Sequence, residues 1–276
     1  MLIDTTNRAQ VPLTLVTISF NQRPFLRDCI ESIVPQLRPD MDQYIVVDPG
    51  STDGSRELIR SYGNAIHERI FEPDGGPADG LNRGFSRARG EVFGYINADD
   101  RLVPGALAFV RHFFRSEPGV DVLTGAIRLI DARGHAGLRG RTSDDFDLRR
   151  FVAGACLVGQ QATWFRQEAW LRAGGFNPAN RVMWDSELLV DMALTGARFA
   201  AVPRVLGEWR HHGASITSAR GHRARLRAEF DRCRDKLGAA GVTPWGPLQS
   251  CWARLRYRFD VLRHIRYLQA GAGIDR

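Results

Sequence analysis

The feature that most constrains the fold is an alternation of apolar strand-like runs and amphipathic helical segments near the start of the chain. Residues 13–20 (LTLVTISF) are mostly apolar, which is typical of a central strand covered on both faces. Apolar side chains then recur every three or four positions over 25–37, which predicts a helix. A second strand at 44–48 leads through the turn-rich PGSTDGS into a helical RELIRSY segment. This β-α-β-α order predicts an α/β fold whose mostly parallel sheet is flanked by helices.

The alternation continues as far as residue 212. The further predicted elements are a short strand at 69–71, a helix within ADGLNRGFSRA, strands at 92–96 and 120–131, and helices from Pro104 to about Arg115, at 167–175 and at 185–196. The polar, glycine-rich segment 132–150 predicts a mobile loop, and residues 198–212 predict one or two strands.

Length and composition limit the class of protein. The 276 residues, 43% hydrophobic and 25% charged, suffice for one large soluble domain or for one domain with an appendage. The sequence has no apolar run long enough to predict a transmembrane helix and no secretory pattern at its amino end. The four cysteines, at positions 29, 156, 233 and 251, lack the spacing of a metal site. We therefore expect reduced thiols and a cytoplasmic location.

The positive charge of the chain is concentrated in its last part. Residues 220–276 hold 13 Lys and Arg against 5 Asp and Glu, a net charge of +8. Since the whole chain carries +7, the first 219 residues carry −1. A basic tail indicates an anionic surface nearby, whereas a nearly neutral body does not favour a nucleic-acid groove. We expect no nucleic-acid partner.

Residues 219–276 are predicted to form a basic helical extension of the domain at 1–218. Two apolar stripes have helical spacing, the first Leu226, Phe230, Cys233 and Leu237, the second Leu248, Trp252, Leu255, Phe259, Leu262, Ile265 and Leu268. Three interpretations stay open: the stripes pack on the domain, lie on an anionic membrane, or pair with another chain. The second interpretation would place the protein peripherally at the inner face of a membrane.

Polar side chains cluster where three of the predicted strands end. In a parallel sheet, ligands bind outside the carboxyl ends of the strands. The residues at such ends are Thr17, Ser19 and Asn21 after the first strand, Asp48 and Asp53 after the second, and Asn97, Asp99 and Asp100 after 92–96. Neither GxGxxG nor GxxxxGK[ST] is present, which argues against a Rossmann dinucleotide enzyme and a P-loop protein. A nucleotide held by carboxylates and a cation stays compatible with the pattern.

The stretch NADD (97–100) places two carboxylates side by side at a strand end, where they repel each other. One explanation is a plain turn with a helix cap. The other is a divalent cation, since oxygen ligands without a soft partner favour Mg²⁺ or Mn²⁺ completed by substrate phosphates.

Four segments in this order resemble the family 2 glycosyltransferases of bacterial polysaccharide and glycolipid biosynthesis, which have the GT-A fold. They are VTISFNQRPFLRDCIESI, VVDPGSTDGS, EPDGGPADGLNRGFSRARGEVFGYINADD and GGFNPANRVMWDSELLVDMALTG. The resemblance covers roughly residues 11–218. It implies a nucleotide-diphosphate sugar donor, a divalent cation, and transfer with inversion at the anomeric carbon to a hydroxyl of a glycan or lipid-linked acceptor.

The resemblance also implies roles for residues around the donor. Asp48 and Asp53 match the acids that hold the base and ribose of the nucleotide. Asp99 falls on the second acid of the Asp-x-Asp motif and is the expected metal ligand, with Asp100 in support. Asn97 replaces the first acid, so we expect it to contact the donor.

Further positions match the part of the motif set that carries the acceptor chemistry. Asp185 is the expected general base, although it could instead cap its helix, and Trp184 replaces the acid that usually precedes the base. His212 matches a histidine near the metal or diphosphate. Asp79 and Asn82 are expected in the donor site, with helix capping as the alternative for Asp79.

Two other classes of function stay open on the sequence. A sugar-phosphate nucleotidyltransferase shares the sheet type, but NQRPF replaces the Gly-rich basic loop it would need. A catalytically degenerate sugar-nucleotide-binding or scaffold protein is the other alternative, because of the departures at Asn97 and Trp184. The sugar, the acceptor and the oligomeric state are not specified by any of these motifs.

Overall fold

The fold is organised around one curled sheet in the computed structural model, which describes residues 11–213, 223–243 and 245–258. The strand order is β3-β2-β1-β4-β8-β6-β9-β5, with β7 paired to β6. Strands β1 to β4 are mutually parallel, as predicted from the β-α-β-α pattern. Strand β8 lies antiparallel between β4 and β6, and β6 pairs with β9 in parallel.

The main strands and helices occur along the chain in the predicted order. The strands are β1 Leu13–Ile18, β2 Gln43–Val47, β3 Glu68–Ile70, β4 Val92–Asn97, β5 Arg101–Leu102, β6 Val122–Ile130, β7 Ala136–Arg141, β8 Thr163–Arg166 and β9 Phe199–Arg210. The helices are α1 Arg23–Ile33, α2 Ser55–Ser61, α3 Pro77–Ser86, α4 Ala106–Ser116, α5 Leu148–Val152, α6 Gln167–Arg172, α7 Trp184–Leu194, α8 Arg223–Ala239 and α9 Pro247–Arg258.

Apolar side chains cover both faces of the sheet, which explains why its central strands are apolar throughout. Successive side chains of a strand point to opposite faces. Leu13 and Leu15 of β1 accordingly belong to the hydrophobic cluster on one face, with α1 and α4. Val16 belongs to the cluster on the other face, with α3 and α7. The sheet is thereby held between two helical layers, and only its edges and strand ends reach solvent.

Three short strands were not predicted, and one of them corrects the loop predicted at 132–150. That segment contains β7 and the start of α5. The two-residue β5 and the four-residue β8 are too short for a periodic pattern to be visible in sequence. Strand β8 packs closely on β4, since a Cβ atom added at Gly94 would lie 2.4 Å from the ring of Trp164. Glycine is therefore required by the contact between these two strands.

Helix α8 of the carboxyl-terminal extension packs against α7 through charged and apolar contacts. The carboxylate of Glu187, which is fully buried, accepts hydrogen bonds from Arg232 at 2.6 and 2.9 Å and pairs with Lys236 at 2.8 Å. The buried side chains of Cys233 and Leu237 join a small apolar cluster with α5 and α7. Cys233 and Leu237 are the members of the first predicted stripe that pack on the domain, whereas Leu226 of the same stripe is exposed.

The second stripe has a different environment over its described part. Leu248, Trp252 and Leu255 of α9 are exposed. Its remaining members, from Phe259 onward, lie outside the described residues, as do 1–10 and 214–222. Over the part of the chain that is described, the helices are too short or too polar to cross a membrane.

We expect Glu187→Gln to lower the free energy of unfolding by about 3 kcal/mol at neutral pH, because it removes the charge of a fully buried carboxylate that pairs with the partly exposed Arg232 and Lys236. Burial raises the pKa of Glu187, but hydrogen bonds from Arg232, Lys236, Asn177 and Asn180 outweigh it and lower the pKa from 4.5 to about 2. A lowered carboxyl pKa stabilises the fold above its unfolded value, and that stability is lost as the pH falls through the folded one.

The difference in stability between wild type and Glu187→Gln should therefore be full above about pH 5 and shrink between about pH 4.5 and 2. Urea unfolding across this pH range measures it. Asp235→Asn, which removes an exposed carboxylate from α8, serves as the control. Equal stability of the two variants at pH 7 would contradict the role given to Glu187.

Candidate active site

The site forms where the carboxyl ends of β1 and β4 lie side by side. These strands pair in parallel register, with Ile18 opposite Asn97, and the backbone N–H of Ala98 donates to the carbonyl of Ile18 at 3.1 Å. The polar residues that follow each strand therefore emerge at the same edge of the sheet. This brings together the loop after β1, the loop after β2 and the NADD turn.

Asp99 and His212 meet at this edge, although 113 positions separate them in sequence. A carboxylate oxygen of Asp99 lies 3.0 Å from Nε2 of His212. The Asp99 side chain keeps 18% of its exposure, whereas that of His212 keeps 5% and packs on the ring of Phe25 at 4.5 Å. Two residues predicted near a metal are thus adjacent. Within the described ranges, no cluster of three or more His, Cys, Asp or Glu side chains is arranged to hold a metal ion.

Asp100 does not share this position, and among the described residues its predicted role in support of a metal has no contact with the Asp99–His212 pair behind it. Its carboxylate is buried and accepts hydrogen bonds from the backbone N–H of Arg210 and from Nε2 of Gln161, both at 2.8 Å. Burial, and then the neighbouring charge of Asp99, raises the pKa of Asp100 well above its ordinary range. Asp100 faces β9 because the turn directs two consecutive side chains to opposite sides.

Arg210, at the end of β9, is a buried cation that the sequence analysis missed. Its side chain is 1% exposed; Nε donates to the carbonyl of Asp99 at 2.8 Å, and the guanidinium pairs with Asp28 at 3.1 Å. The repulsion between the two NADD carboxylates is therefore reduced by a cation of the protein itself. In the sequence RHHG (210–213), only His212 was predicted to lie in the site. Because β9 ends at Arg210, the side chain of Arg210 lies at the same turn.

The residues predicted to bind the base and ribose hold the loops of the site. Asp48 is fully buried, and its carboxylate accepts hydrogen bonds from Ser51 at 2.6 and 2.8 Å and from Arg56 at 3.2 Å. These bonds make Asp48 part of the loop after β2, and its contact with a nucleotide stays a prediction. Thr17 is likewise buried, with its hydroxyl 3.0 Å from that of Tyr44, so it belongs to the core rather than to the strand end.

Asp53 and Asn21 connect the loops after β1 and β2. The exposed carboxylate of Asp53 accepts from the backbone N–H of Arg23 at 2.8 Å and of Ser55 at 3.0 Å, at the starts of α1 and α2. Partial burial raises the pKa of Asp53, but the bonds from Ser55 and Arg23 lower it below its ordinary value. Asn21 has a left-handed backbone (φ 52°), and its amide oxygen accepts from Thr52 N–H at 3.0 Å. Their contact with a donor stays a prediction.

Asp79 and Asn82 also make structural contacts on α3. Asp79 accepts from the backbone N–H of Gly75 at 2.8 Å and pairs with Arg83 at 3.1 Å, so the capping alternative describes its position. The bond from Gly75 lowers the pKa of Asp79 below its ordinary value. The amide of Asn82 exchanges two hydrogen bonds with the backbone of Phe176, at 2.7 and 2.8 Å. Asn82 therefore joins α3 to the segment before α7 rather than presenting its amide to a donor.

Asp185 lies in the first turn of α7 and lines a cleft with Tyr95 and Gln160. The helix begins at Trp184 with Met183 as its N-cap, so the alternative that Asp185 caps the helix is wrong. Burial raises the pKa of Asp185 above its ordinary value. A carboxylate with a raised pKa in a cleft has the properties of a general base.

Gln160 was not predicted, although it joins the two halves of the site. Its Oε1 accepts from Nδ2 of Asn97 at 3.3 Å, and its Nε2 donates to the carbonyl of Tyr95 at 3.0 Å. Because Nδ2 is held in this way, Oδ1 of Asn97 stays buried without a hydrogen-bond partner in the described residues. Ser19 Oγ is buried and unpaired in the same sense. Both atoms therefore keep hydrogen-bonding capacity at the strand ends.

Comparison with solved structures places the fold in the GT-A class. A crystal structure of Staphylococcus aureus TarS (residues 1–349) with UDP-GlcNAc superposes with a TM-score of 0.66 at 14% identity, covering 94% of this chain and 79% of the other. The mannosyltransferase PcManGT from Pyrobaculum calidifontis, in complex with GDP-Man and Mn²⁺, gives 0.57 at 18% identity over 94% and 86% of the two chains. These likenesses confirm the predicted fold class.

Sequence comparison then gives the family. An uncharacterized glycosyltransferase of Mycobacterium tuberculosis is 26% identical over 195 residues, which is 66% of this chain and 69% of that protein. The model of glycosyl transferase family 2 matches residues 14–167, more than half of the chain. The chain belongs to family 2 of the glycosyltransferases and is a glycosyltransferase, as the sequence motifs indicated.

Proposed function

We propose that this enzyme transfers a sugar from a nucleotide-diphosphate donor to a hydroxyl of a glycan or lipid-linked acceptor, with inversion at the anomeric carbon. The observation that carries the proposal is the Asn97–Gln160 hydrogen bond, which joins the Asp99 edge to the Asp185 cleft. An inverting transfer needs a donor site and a base on either side of one reacting carbon. The nucleotide sugars bound by TarS and PcManGT support a donor of this class.

Asp185 acts as the base in this proposal. It accepts the proton of the acceptor hydroxyl while the oxygen attacks the anomeric carbon. The bond from that carbon to the diphosphate breaks, and the diphosphate leaves with the bonding electrons. Ser19, Asn21, Asp53 and Asn97 lie at the strand ends where the donor is expected, and the cleft beside Asp185 receives the acceptor.

The residues at the Asp99 edge fit a divalent cation. A partly exposed carboxylate and an imidazole nitrogen 3.0 Å from it form a small set of ligands, which suits Mg²⁺ or Mn²⁺ completed by water and a diphosphate. When bound, such an ion supplies Lewis-acid stabilisation of the leaving diphosphate. Asp99 and His212 would hold it, and Arg210 keeps Asp99 in place through its backbone carbonyl.

A panel of UDP-, GDP- and dTDP-sugars, each with Mn²⁺ or Mg²⁺, tests the donor and metal together. We expect wild type to turn over one donor with metal, and Asp99→Ala to lose at least tenfold in metal-dependent turnover, since it removes the only predicted carboxylate ligand that reaches solvent. Asp40→Asn, an exposed acid in the turn before β2, is the control. Binding without turnover in wild type, or metal-dependent turnover retained in Asp99→Ala, would contradict this part of the proposal.

Asp185→Asn should reduce transfer by about 10²–10⁴-fold with little effect on nucleotide binding. The base must be ionised, and burial raises the pKa of Asp185. Transfer by wild type should therefore fall with decreasing pH at a higher pH than an ordinary aspartate would give. A pH–rate profile with calorimetry of nucleotide binding measures both effects, with Glu168→Gln, an exposed acid of α6, as the control. Transfer retained in Asp185→Asn would rule out the assignment.

We further propose that α9 binds an anionic membrane surface. Leu248, Trp252 and Leu255, spaced four and three residues apart, lie on one helical face and are 87%, 70% and 48% exposed. The helix Pro247–Arg258 contains three arginines and neither Asp nor Glu. An exposed apolar face on a basic helix suits the interface of an anionic bilayer, where a lipid-linked acceptor would be found.

Liposome flotation tests this second proposal on the full chain. Wild type should float with phosphatidylglycerol vesicles and less with phosphatidylcholine vesicles, and high salt should weaken the difference. The double variant L248S/W252S should lose most of this binding, whereas Leu226→Ser, at an exposed leucine of α8, should not. Equal recovery of the double variant and wild type would contradict membrane binding by this face.

A further inference from the structure

Glu229 of α8 binds the segment that leads into the catalytic-site helix α7. Its side chain is buried, and its carboxylate accepts hydrogen bonds from three successive backbone N–H groups. The donors are Arg181 at 2.7 Å, Val182 at 3.1 Å and Met183 at 2.9 Å. Glu229, 46 to 48 positions away in sequence, thus accepts backbone N–H groups just before α7, as a capping side chain of the segment itself would.

The need for such a group follows from the way a helix begins. The first backbone N–H groups of a helix lack partners within it, and a negative charge near them is favourable. The N-cap of α7, Met183, makes no side-chain capping hydrogen bond. Asn180 supplies one acceptor, with its Oδ1 3.1 Å from Val182 N and 2.8 Å from Met183 N. Glu229 supplies a charged acceptor for the N–H groups of Arg181, Val182 and Met183, as the Asp185 carboxylate does for the N–H of Ser186.

A second contact from α8 holds the next part of α7. Glu187 accepts from Asn177 at 2.8 Å and Asn180 at 2.7 Å, and pairs with Arg232 of α8 at 2.6 Å. At about 100° per residue, Glu187 lies about 200° around the helix from Asp185. Helix α8 therefore holds α7 on the face turned away from the cleft, and Asp185 points to the other side.

We propose that Glu229 is a positioning residue for the glycosyl transfer: by binding the N–H groups of 181–183, it sets the orientation of the first turn of α7 and hence of Asp185. This inference rests on the proposed role of Asp185 as the base. Under this proposal, α8 contributes to catalysis although it lies beyond the region matched by the family model.

The effect on the reaction should be selective. A displacement of about 1 Å at a reacting group can reduce a rate about 10²-fold. The donor edge is built by the ends of β1, β4 and β9 and has no bond to Glu229 among those described. Loss of Glu229 should therefore reduce turnover without a matching loss of nucleotide affinity.

The test compares Glu229→Ala and Glu229→Gln with Asp235→Asn, which removes an exposed carboxylate from the same helix. Three quantities are measured on the full chain: amide hydrogen exchange over 181–186, the Kd of UDP and GDP with Mn²⁺, and kcat with the donor that wild type uses. We expect Glu229→Ala to accelerate exchange at 181–186 at least tenfold and to lower kcat at least tenfold, with Kd within twofold. Glu229→Gln, which keeps one acceptor oxygen, should fall between it and wild type.

Other outcomes overturn the inference. Exchange over 181–186 equal to that of Asp235→Asn means that Glu229 does not hold the segment. A parallel loss of kcat, nucleotide binding and the unfolding midpoint in both Glu229 variants means that its role is general stability. Should Asp185→Asn keep full transfer, the proposed base fails, and amide exchange still decides separately whether Glu229 holds 181–183. A fall in kcat for Glu229→Ala would then contradict positioning through Asp185.

Discussion

The attachment of the NADD turn to the end of β9 is the interaction on which the site depends. The backbone N–H of Arg210 donates to Asp100, and its side chain donates to the carbonyl of Asp99. These two bonds bring His212, two residues further on, against Asp99. The Asp100 carboxylate thus joins the turn to β9, whereas the Asp99 carboxylate lies beside His212 and is partly exposed.

Contacts between α8 and α7 hold the part of the site that contains Asp185. Helix α7 carries Asp185 toward the cleft, and its other face is bound by charged side chains of α8, with Glu187 at the centre of the network. The buried charge of Glu187 is tolerated because each of its two carboxylate oxygens accepts more than one hydrogen bond. The Asp99 edge and Asp185 are therefore held by separate elements, and Gln160 bonds Asn97 beside the first and lines the cleft of the second.

Many predicted site residues lie in the predicted loops, where they also make structural contacts. Asp48, Asp53 and Asp79 all accept backbone N–H groups of turns or helix starts. Ligand binding and capping both favour Asp after a strand, so the residue type alone does not distinguish them. Gln160 and Arg210 were missed for a different reason, since each gains its place from a long-range contact that the local sequence does not show.

Local periodicity and parallel strand order, which are visible in a linear pattern, predict the fold class, the order of the main strands and helices, and the edge of the sheet at which polar residues gather. The family was predicted separately, from the resemblance of four motifs to the family 2 glycosyltransferases. Tertiary contacts determine which NADD acid reaches solvent, which loop acids accept backbone N–H groups, and how α8 meets α7. Each of these depends on burial and on partners far away in sequence: the Asp100–Arg210 contact spans 110 positions and the Met183–Glu229 contact 46.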